Sequence, residues 1–234
     1  MKLSQSVYLV SGGYYGYLGN VYAIRGKNSV ALIDCGQEVA AQNIEEQLRF
    51  WGMGDMPVTH VFITHGHHDH GGSAAYFQKK GAKIYCSALD TPEMLRGGML
   101  RSDTPWGEGW EFPPCKPDVE FNGGDILRFD NFELRTYAAP GHSAGSVFYQ
   151  LQDGEKDILF TGDTFSCDGE TGDLIVLGWK GSMDYSAADF QNTLDMAFRT
   201  FQPDYILGGH GLPCVKDGKR VIRNAYRKFL LEYR

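Results

Sequence analysis

The chain has 234 residues, with 22 Lys and Arg against 29 Asp and Glu, a net charge of −7 at neutral pH. Its 42% hydrophobic and 22% charged residues exclude a disordered or fibrous protein, and the acidic balance disfavours a nucleic-acid partner, whose binding rests on neutralised phosphates. No apolar run reaches the roughly 18–20 residues of a membrane helix, the opening MKLSQSVYLVSGG lacks the apolar core of a secretory signal, and five scattered cysteines without a CxxC pair point to a reduced, cytoplasmic protein.

Short β-branched and aromatic runs alternate with helical stretches, punctuated mostly by glycine. The pattern predicts strands at Val7–Val10 and Val21–Arg25, separated by Ser11–Asn20 (SGGYYGYLGN), a glycine-rich loop with three tyrosines. A strand at Val30–Asp34 leads into a helix at Glu38–Trp51. A buried strand at Val61–Thr64 precedes a helix at Gly72–Lys80, then a strand at Lys83–Cys86 and a short helix at Pro92–Arg96. Gly97–Pro117 carries Trp106, Trp110, Phe112 and four prolines, too irregular for either element. Strands at Ile126–Phe129, Glu133–Tyr137, Val147–Leu151 and Asp157–Thr161 follow, then a helix at Ala187–Phe201, a strand at Tyr205–Leu207 and a helix at Gly218–Tyr233. Ser186 and Asp189 form a capping-box pair ahead of an apolar stripe of Phe190, Leu194, Ala197, Phe198 and Phe201. No repeat or linker divides the chain, so residues 1–234 read as one domain.

Residues 216–234 hold seven basic residues against Asp217 and Glu232, leaving about −12 on the rest. The run reads as the solvated face of the final amphipathic helix; the sharper alternative is a positive patch, with Lys219, Arg220 and Arg223 meeting a small anion.

Of the seven histidines, four fall within His65–His70, where VFITHGHHDHGG runs straight on from a strand. A lone His is usually a satisfied structural residue. Several imidazoles beside a carboxylate need something to hold them together, and a cation does so while each donor is neutral or anionic. Further polar residues stand at the ends of other strands, beside glycine: Asp34 in ALIDCG, His142 in APGHSAG, Asp163 in FTGDT and His210 in ILGGHG. Loops at strand ends are where a layered sheet protein gathers a site.

THGHHDHGG, with Asp34 before it and His142, Asp163 and His210 after it, resembles the metallo-β-lactamase superfamily, and the motifs span residues 34–210 in that family's order. The resemblance implies an α/β fold, a four-layer αββα sandwich with a dinuclear site where two sheets meet. It would place His65, His67 and His142 on one divalent cation and Asp69, His70 and His210 on a second, with Asp163 bridging both. The expected ions are zinc, with iron or manganese also suited to such donors. Asp34 resembles the family's buttressing acid, orienting ligands without touching metal. His68, at the motif's variable position, and His60 are expected to be structural.

Such a site would supply a metal-bound hydroxide and polarise the scissile bond, with Asp69 and Asp163 orienting the nucleophile and moving its proton. Asp163 stands where true β-lactamases carry Cys or Ser, so the set resembles glyoxalase II and related thioester hydrolases or lactonases. TGDTF and the segment GWKGSMDYSAADFQNTLDMAF also resemble the glyoxalase II region after its bridging acid. Because the chain runs only 24 residues beyond His210, the helical part that helps glyoxalase II hold glutathione is not expected. The expected function is hydrolysis of an ester-like bond, thioester or lactone, in a small molecule. The alternatives are a mononuclear-iron persulfide dioxygenase, then a β-lactamase or phosphodiesterase, and last a non-enzymatic binding module. No pattern assigns an oligomeric state.

The loops at 11–20 and 97–117 are either surface loops with buried anchors or lids over the site. If Tyr14, Tyr15, Trp106 and Trp110 cover the metals, deleting Trp106–Trp110 raises KM for a substrate with an apolar or planar part; an unchanged KM rejects the lid.

Overall fold

Within β3 (Val30–Ile33), Val30 and Leu32 enter one apolar cluster and Ala31 and Ile33 another, so the strand is covered on both faces. That alternation builds the molecule in layers. The computed structural model describes residues 1–13, 18–98, 111–167 and 172–232. One sheet carries, in spatial order, β1 (Val7–Ser11), β2 (Val21–Arg25), β3, β4 (Val58–Phe62), β5 (Lys83–Ser87) and β6 (Val119–Phe121). Its first three strands are antiparallel neighbours, and β3 to β6 run parallel.

The second sheet consists of β7 (Ile126–Phe129), β8 (Phe132–Ala138), β9 (Val147–Asp153), β10 (Lys156–Gly162) and β13 (Tyr205–Gly208), the last lying beside β10. The hairpin pair β11 (Phe165–Cys167) and β12 (Ile175–Leu177) stands apart from both sheets. Between the sheets Tyr22, Phe62, Tyr149, Phe160 and Leu207 form the central core. Outside the first sheet, α1 (Ala41–Phe50) and α3 (Ala74–Lys79) bury Ile44, Leu48 and Phe77. Outside the second, α5 (Ala187–Thr200) and α6 (Gly218–Glu232) bury Phe190, Leu194, Val221 and Phe229. The order helix, sheet, sheet, helix is the expected αββα sandwich. Two shorter helices, α2 (His68–Gly71) and α4 (Thr91–Arg96), lie in the loops at the sheet ends.

Strand direction positions the site. Strands β8 and β10 both run antiparallel to β9, and β13 runs parallel to β10, so the carboxyl ends of all three lie on one side. The parallel pair β3 and β4 delivers its own carboxyl ends in the same way.

Several details depart from the sequence pattern. The helix expected at Glu38–Trp51 opens as a 3-10 turn over Glu38–Ala40 before α1 begins. Strand β4 starts three residues earlier than its apolar run, because Val58, Thr59 and His60 are only half-buried and carry no clear alternation. Strands β6, β11 and β12 are three residues each, too short to show a period. Ser186 does cap α5, accepting from Asp189 N–H at 3.2 Å, but Phe198 leaves the buried stripe and stacks on Tyr226 at the surface. Among the described residues no helix is long and apolar enough to cross a membrane.

Phe160, fully buried between the sheets, meets the edge of Tyr22 at 5.5 Å. Phe160→Ala should cost about 3–5 kcal/mol of stability, read as a lowered denaturant midpoint; a loss under 1 kcal/mol would mean the sheets close over the cavity.

Candidate metal centre

Two sheets supply one cluster of donors. From the first, the loop after β4 carries His65, His67, Asp69 and His70, and the residue after β3 is Asp34. From the second, His142 follows β8, Asp163 follows β10 and His210 follows β13. His142 Nε2 lies 3.2 Å from His65 Nε2 and 3.1 Å from His67 Nδ1. Asp69 Oδ2 lies 3.2 Å from His210 Nε2 and 3.5 Å from His70 Nε2. Between these triads stands Asp163. Its Oδ1 is 3.3 Å from His70 Nε2, and its Oδ2 is 3.1 Å from His210 Nε2 and 3.7 Å from His142 Nε2.

The outer nitrogens of three rings fix which tautomer faces inward. Asp34 Oδ2 accepts from His70 Nδ1–H at 2.8 Å and from the Thr64 hydroxyl at 2.8 Å. With its proton spent on Asp34, Thr64 Oγ1 accepts from His65 Nδ1–H at 3.1 Å. The Trp179 carbonyl accepts from His142 Nδ1–H at 3.0 Å. The Nε2 lone pairs of His65 and His142 therefore face each other across 3.2 Å, and a cation is what such an arrangement accommodates. Inward-facing His70 Nε2 and Asp163 Oδ1 are buried, and neither makes a hydrogen bond among the described residues. The donor set fits two cations.

Charge follows the same division. Burial lowers His65, His67 (to about 3) and His142, leaving neutral imidazoles able to donate lone pairs. Burial also opposes a charge on His70 and His210, but Asp163 and Asp69 outweigh it, lifting His70 well above the usual range and His210 to about 10. Against their own burial, Asp69 and Asp163 are held far below it by those two rings. A metal ion at this second triad would therefore replace protons.

Backbone geometry shows what holding these groups requires. Asp34 has φ 59°, a left-handed conformation that a non-glycine residue adopts only under constraint. The amide of Thr64 on Oδ1, at 2.7 Å, supplies part of that constraint. At Gly209 an added Cβ would lie 2.1 Å from Asp163 Oδ1 and 2.8 Å from His70 Cε1, so only glycine fits beside the centre. The His210 loop is tied down by Asn20, whose Nδ2 donates to the carbonyls of Gly208 and Gly211, each at 3.0 Å, and by Tyr22 Oη, which donates to Gly208 at 2.7 Å.

All seven residues expected to bind metal, and Asp34, thus lie in one cluster. His60 is elsewhere, among Phe62, Tyr85 and Phe129, and His68 Nε2 lies 3.1 Å from Gln37 Nε2. Tyr14, Tyr15, Trp106 and Trp110 lie outside the described residues. Lys219, Arg220 and Arg223 line a shallow cavity of about 260 Å³ with Phe198 and Phe201. Gly218, beside them, bonds Asp204 at the start of β13, while His210 follows its other end, about 13 Å of strand away. They lie away from the donor cluster. Thr64, Asn20, Asp90 and Trp179 were not singled out by the sequence; each acts through a partner remote in the chain, or through a main-chain carbonyl, and local pattern carries no sign of either.

A model of the metallo-beta-lactamase superfamily matches residues 14–210. The chain belongs to this superfamily. It is similar to the acyl-coenzyme A thioesterase MBLAC2 of Gallus gallus, 27% identical over 184 residues, covering 69% of this chain and 63% of that one. It thus spans a little under two thirds of that relative's length. It is also similar to the hydroxyacylglutathione hydrolase GloC of Haemophilus influenzae, 28% identical over 194 residues, covering 79% of this chain and 81% of that one. Among solved structures, the subclass B3 metallo-beta-lactamase BJP-1 of Bradyrhizobium japonicum superposes with a TM-score of 0.75 at 22% identity, covering 100% of this chain and 91% of that one, a likeness of fold.

Asp34→Ala frees His70 directly and His65 through Thr64. Removing such an outer partner should weaken metal binding about 10–100-fold, measured by competition with a chromogenic chelator; unchanged affinity would show that Asp34 only stabilises the loop.

Proposed function

We propose that this superfamily member is a dinuclear metallohydrolase that cleaves thioesters with an apolar acyl group. The observation that carries it is Asp163, one carboxylate whose oxygens reach both triads, as a bridging ligand must. His65, His67 and His142 would hold one ion, Asp69, His70 and His210 the other, and Asp163 both. Neutral imidazoles and carboxylates suit zinc first, with iron and manganese compatible. When bound, the ions lower the pKa of water toward neutrality and polarise the carbonyl under attack.

The chain's own residues do the rest. Asp69 and Asp163, already held ionised in the metal-free chain, would orient the attacking water, and one of them would move a proton. Asp34, Thr64 and the Trp179 carbonyl keep three imidazoles in fixed tautomers, so the donors need no rearrangement during the reaction. A thioester asks little more, because a thiol with a pKa of about 8.5 leaves as thiolate with modest help.

An apolar acyl group suits the surroundings. Trp179, whose carbonyl holds His142, and Leu212, two residues past His210, are each 44% exposed. The thioesterases MBLAC2 and GloC among its relatives support the bond type.

The test is metal analysis of the purified protein together with a panel of acetyl and octanoyl thioesters, a lactone, a β-lactam and a phosphodiester. Two ions per chain and preferential octanoyl thioester hydrolysis are expected, with Asp163→Ala reducing kcat/KM on the order of 100-fold or more. Trp179→Ala should raise KM for the octanoyl substrate roughly tenfold, about 1.4 kcal/mol, with kcat and the acetyl substrate little changed. One iron per chain with oxygen uptake on a glutathione persulfide would replace hydrolysis with sulfur oxidation.

A further inference from the structure

Asp90 is a further buried carboxylate beside the centre, where Glu93 and Asp184 also lie near His67. It occupies the N-cap position of α4, where an Asp ordinarily accepts from the first free amides of the helix, yet its side chain makes no cap bond. Its oxygens turn away from the helix. Oδ2 accepts from Gly66 N–H at 2.8 Å and from the Ser143 hydroxyl at 2.8 Å, and Oδ1 accepts from Gly145 N–H at 2.7 Å. The residue is 1% exposed.

The partners give these bonds their meaning. Gly66 lies between His65 and His67, on the loop from the first sheet. Ser143 follows His142, on the loop from the second. The first triad is therefore assembled from two loops belonging to different layers, and one carboxylate bonds to both. Gly145 shows how closely the second loop is drawn in, since an added Cβ there would lie 2.3 Å from Asp90 Oδ1 and 2.5 Å from its Cγ. Burial pushes Asp90 up to about 6, against the three donors that hold it down, so an ionised carboxylate at this place costs stability that an ordinary helix cap does not. The second triad has a separate tether, Asn20 and Tyr22 on the His210 loop, which makes no bond to Asp90.

We propose that Asp90 is the positioning residue of the first triad, clamping the His142 loop to the His65–His67 loop and thereby setting the affinity of that cation site independently of the Asp69, His70 and His210 site. This rests on the dinuclear reading of the centre and is independent of the substrate. Among the described residues Asp90 makes its hydrogen bonds to Gly66, Ser143 and Gly145 and to none of the proposed ligands. It acts by fixing the spacing at which three imidazole nitrogens converge.

Cobalt titration of the full chain, freed of metal, separates the sites, because each occupied site contributes its own visible absorption; binding constants come from chelator competition. Asp90→Asn keeps the size of the side chain but sets an NH2 group against bound donors. It should weaken one cobalt equivalent about 10–100-fold, leaving the other as in the unmodified protein. Ser143→Ala, which removes one of the three bonds and leaves the carboxylate, should weaken the same equivalent by a smaller factor. His210→Ala should weaken the other. If Asp90→Asn does not fold, Ser143→Ala decides by itself. The clamp is overturned if both equivalents bind the Asp90 and Ser143 variants as they bind the unmodified chain, or if both weaken together with the melting temperature of the metal-free protein. Absence of any cobalt binding by the unmodified chain overturns the dinuclear centre, and the clamp with it, whereas inactivity on thioesters with both cobalt equivalents intact overturns only the substrate.

Discussion

Two imidazole lone pairs pointing at each other across 3.2 Å are the constraint on which the rest of this structure depends. His65 and His142 have each given their outer proton to an acceptor, Thr64 in one case and the Trp179 carbonyl in the other, so neither can donate to its neighbour. Their loops are brought to that distance by forces unrelated to metal: the apolar core between the sheets, the parallel run of β8, β10 and β13, and the buried side chains that fasten each loop. Folding thus sets two acceptor nitrogens of the first triad face to face, an arrangement that a cation would relieve. Part of the stability gained by burying Tyr22, Phe62 and Phe160 goes into holding these groups where they repel.

Strand ends and donors were legible in the sequence because both are local. VFITHGHHDHGG states a strand and its polar ending within twelve residues, and Asp34, His142, Asp163 and His210 each follow an apolar run and adjoin glycine. The family resemblance then supplied the pairing of donors into two triads, which no spacing could provide. Boundaries were less legible where exposure is intermediate, as at Val58–His60, or where a strand has only three residues, as in β6.

What the sequence concealed is the layer of residues behind the donors. Asp90 stands at the N-cap position of α4 and is not singled out by the sequence; only the fold shows its carboxylate bonded to Gly66, Ser143 and Gly145. Asn20 reads as the end of a glycine-rich loop, and nothing near it announces partners 188 and 191 residues away. Lys219, Arg220 and Arg223 read first as the solvated face of the final helix, whose opposite face buries Val221, Ile222, Ala225 and Phe229. The alternative of a small-anion site cannot be weighed from charge, because a basic run carries no information about which end of β13 it will occupy.

Asn20 makes further bonds: its Oδ1 accepts from Gly13 N–H at 2.6 Å, while its Nδ2 holds the backbone on either side of His210. The same amide group closes the base of the tyrosine loop and anchors a metal donor. Loop and donor therefore share a hinge pin. The base of the loop also meets the other sheet's donors: a Cβ added at Gly19 would lie 2.3 Å from the Asp69 carbonyl oxygen and 3.1 Å from His70 Cε1, while Asn20 N–H donates to the Gly209 carbonyl at 2.6 Å. An exchange of this loop with that of a relative that moves its base therefore disturbs His70 and His210 together, whatever residues it brings to the tip.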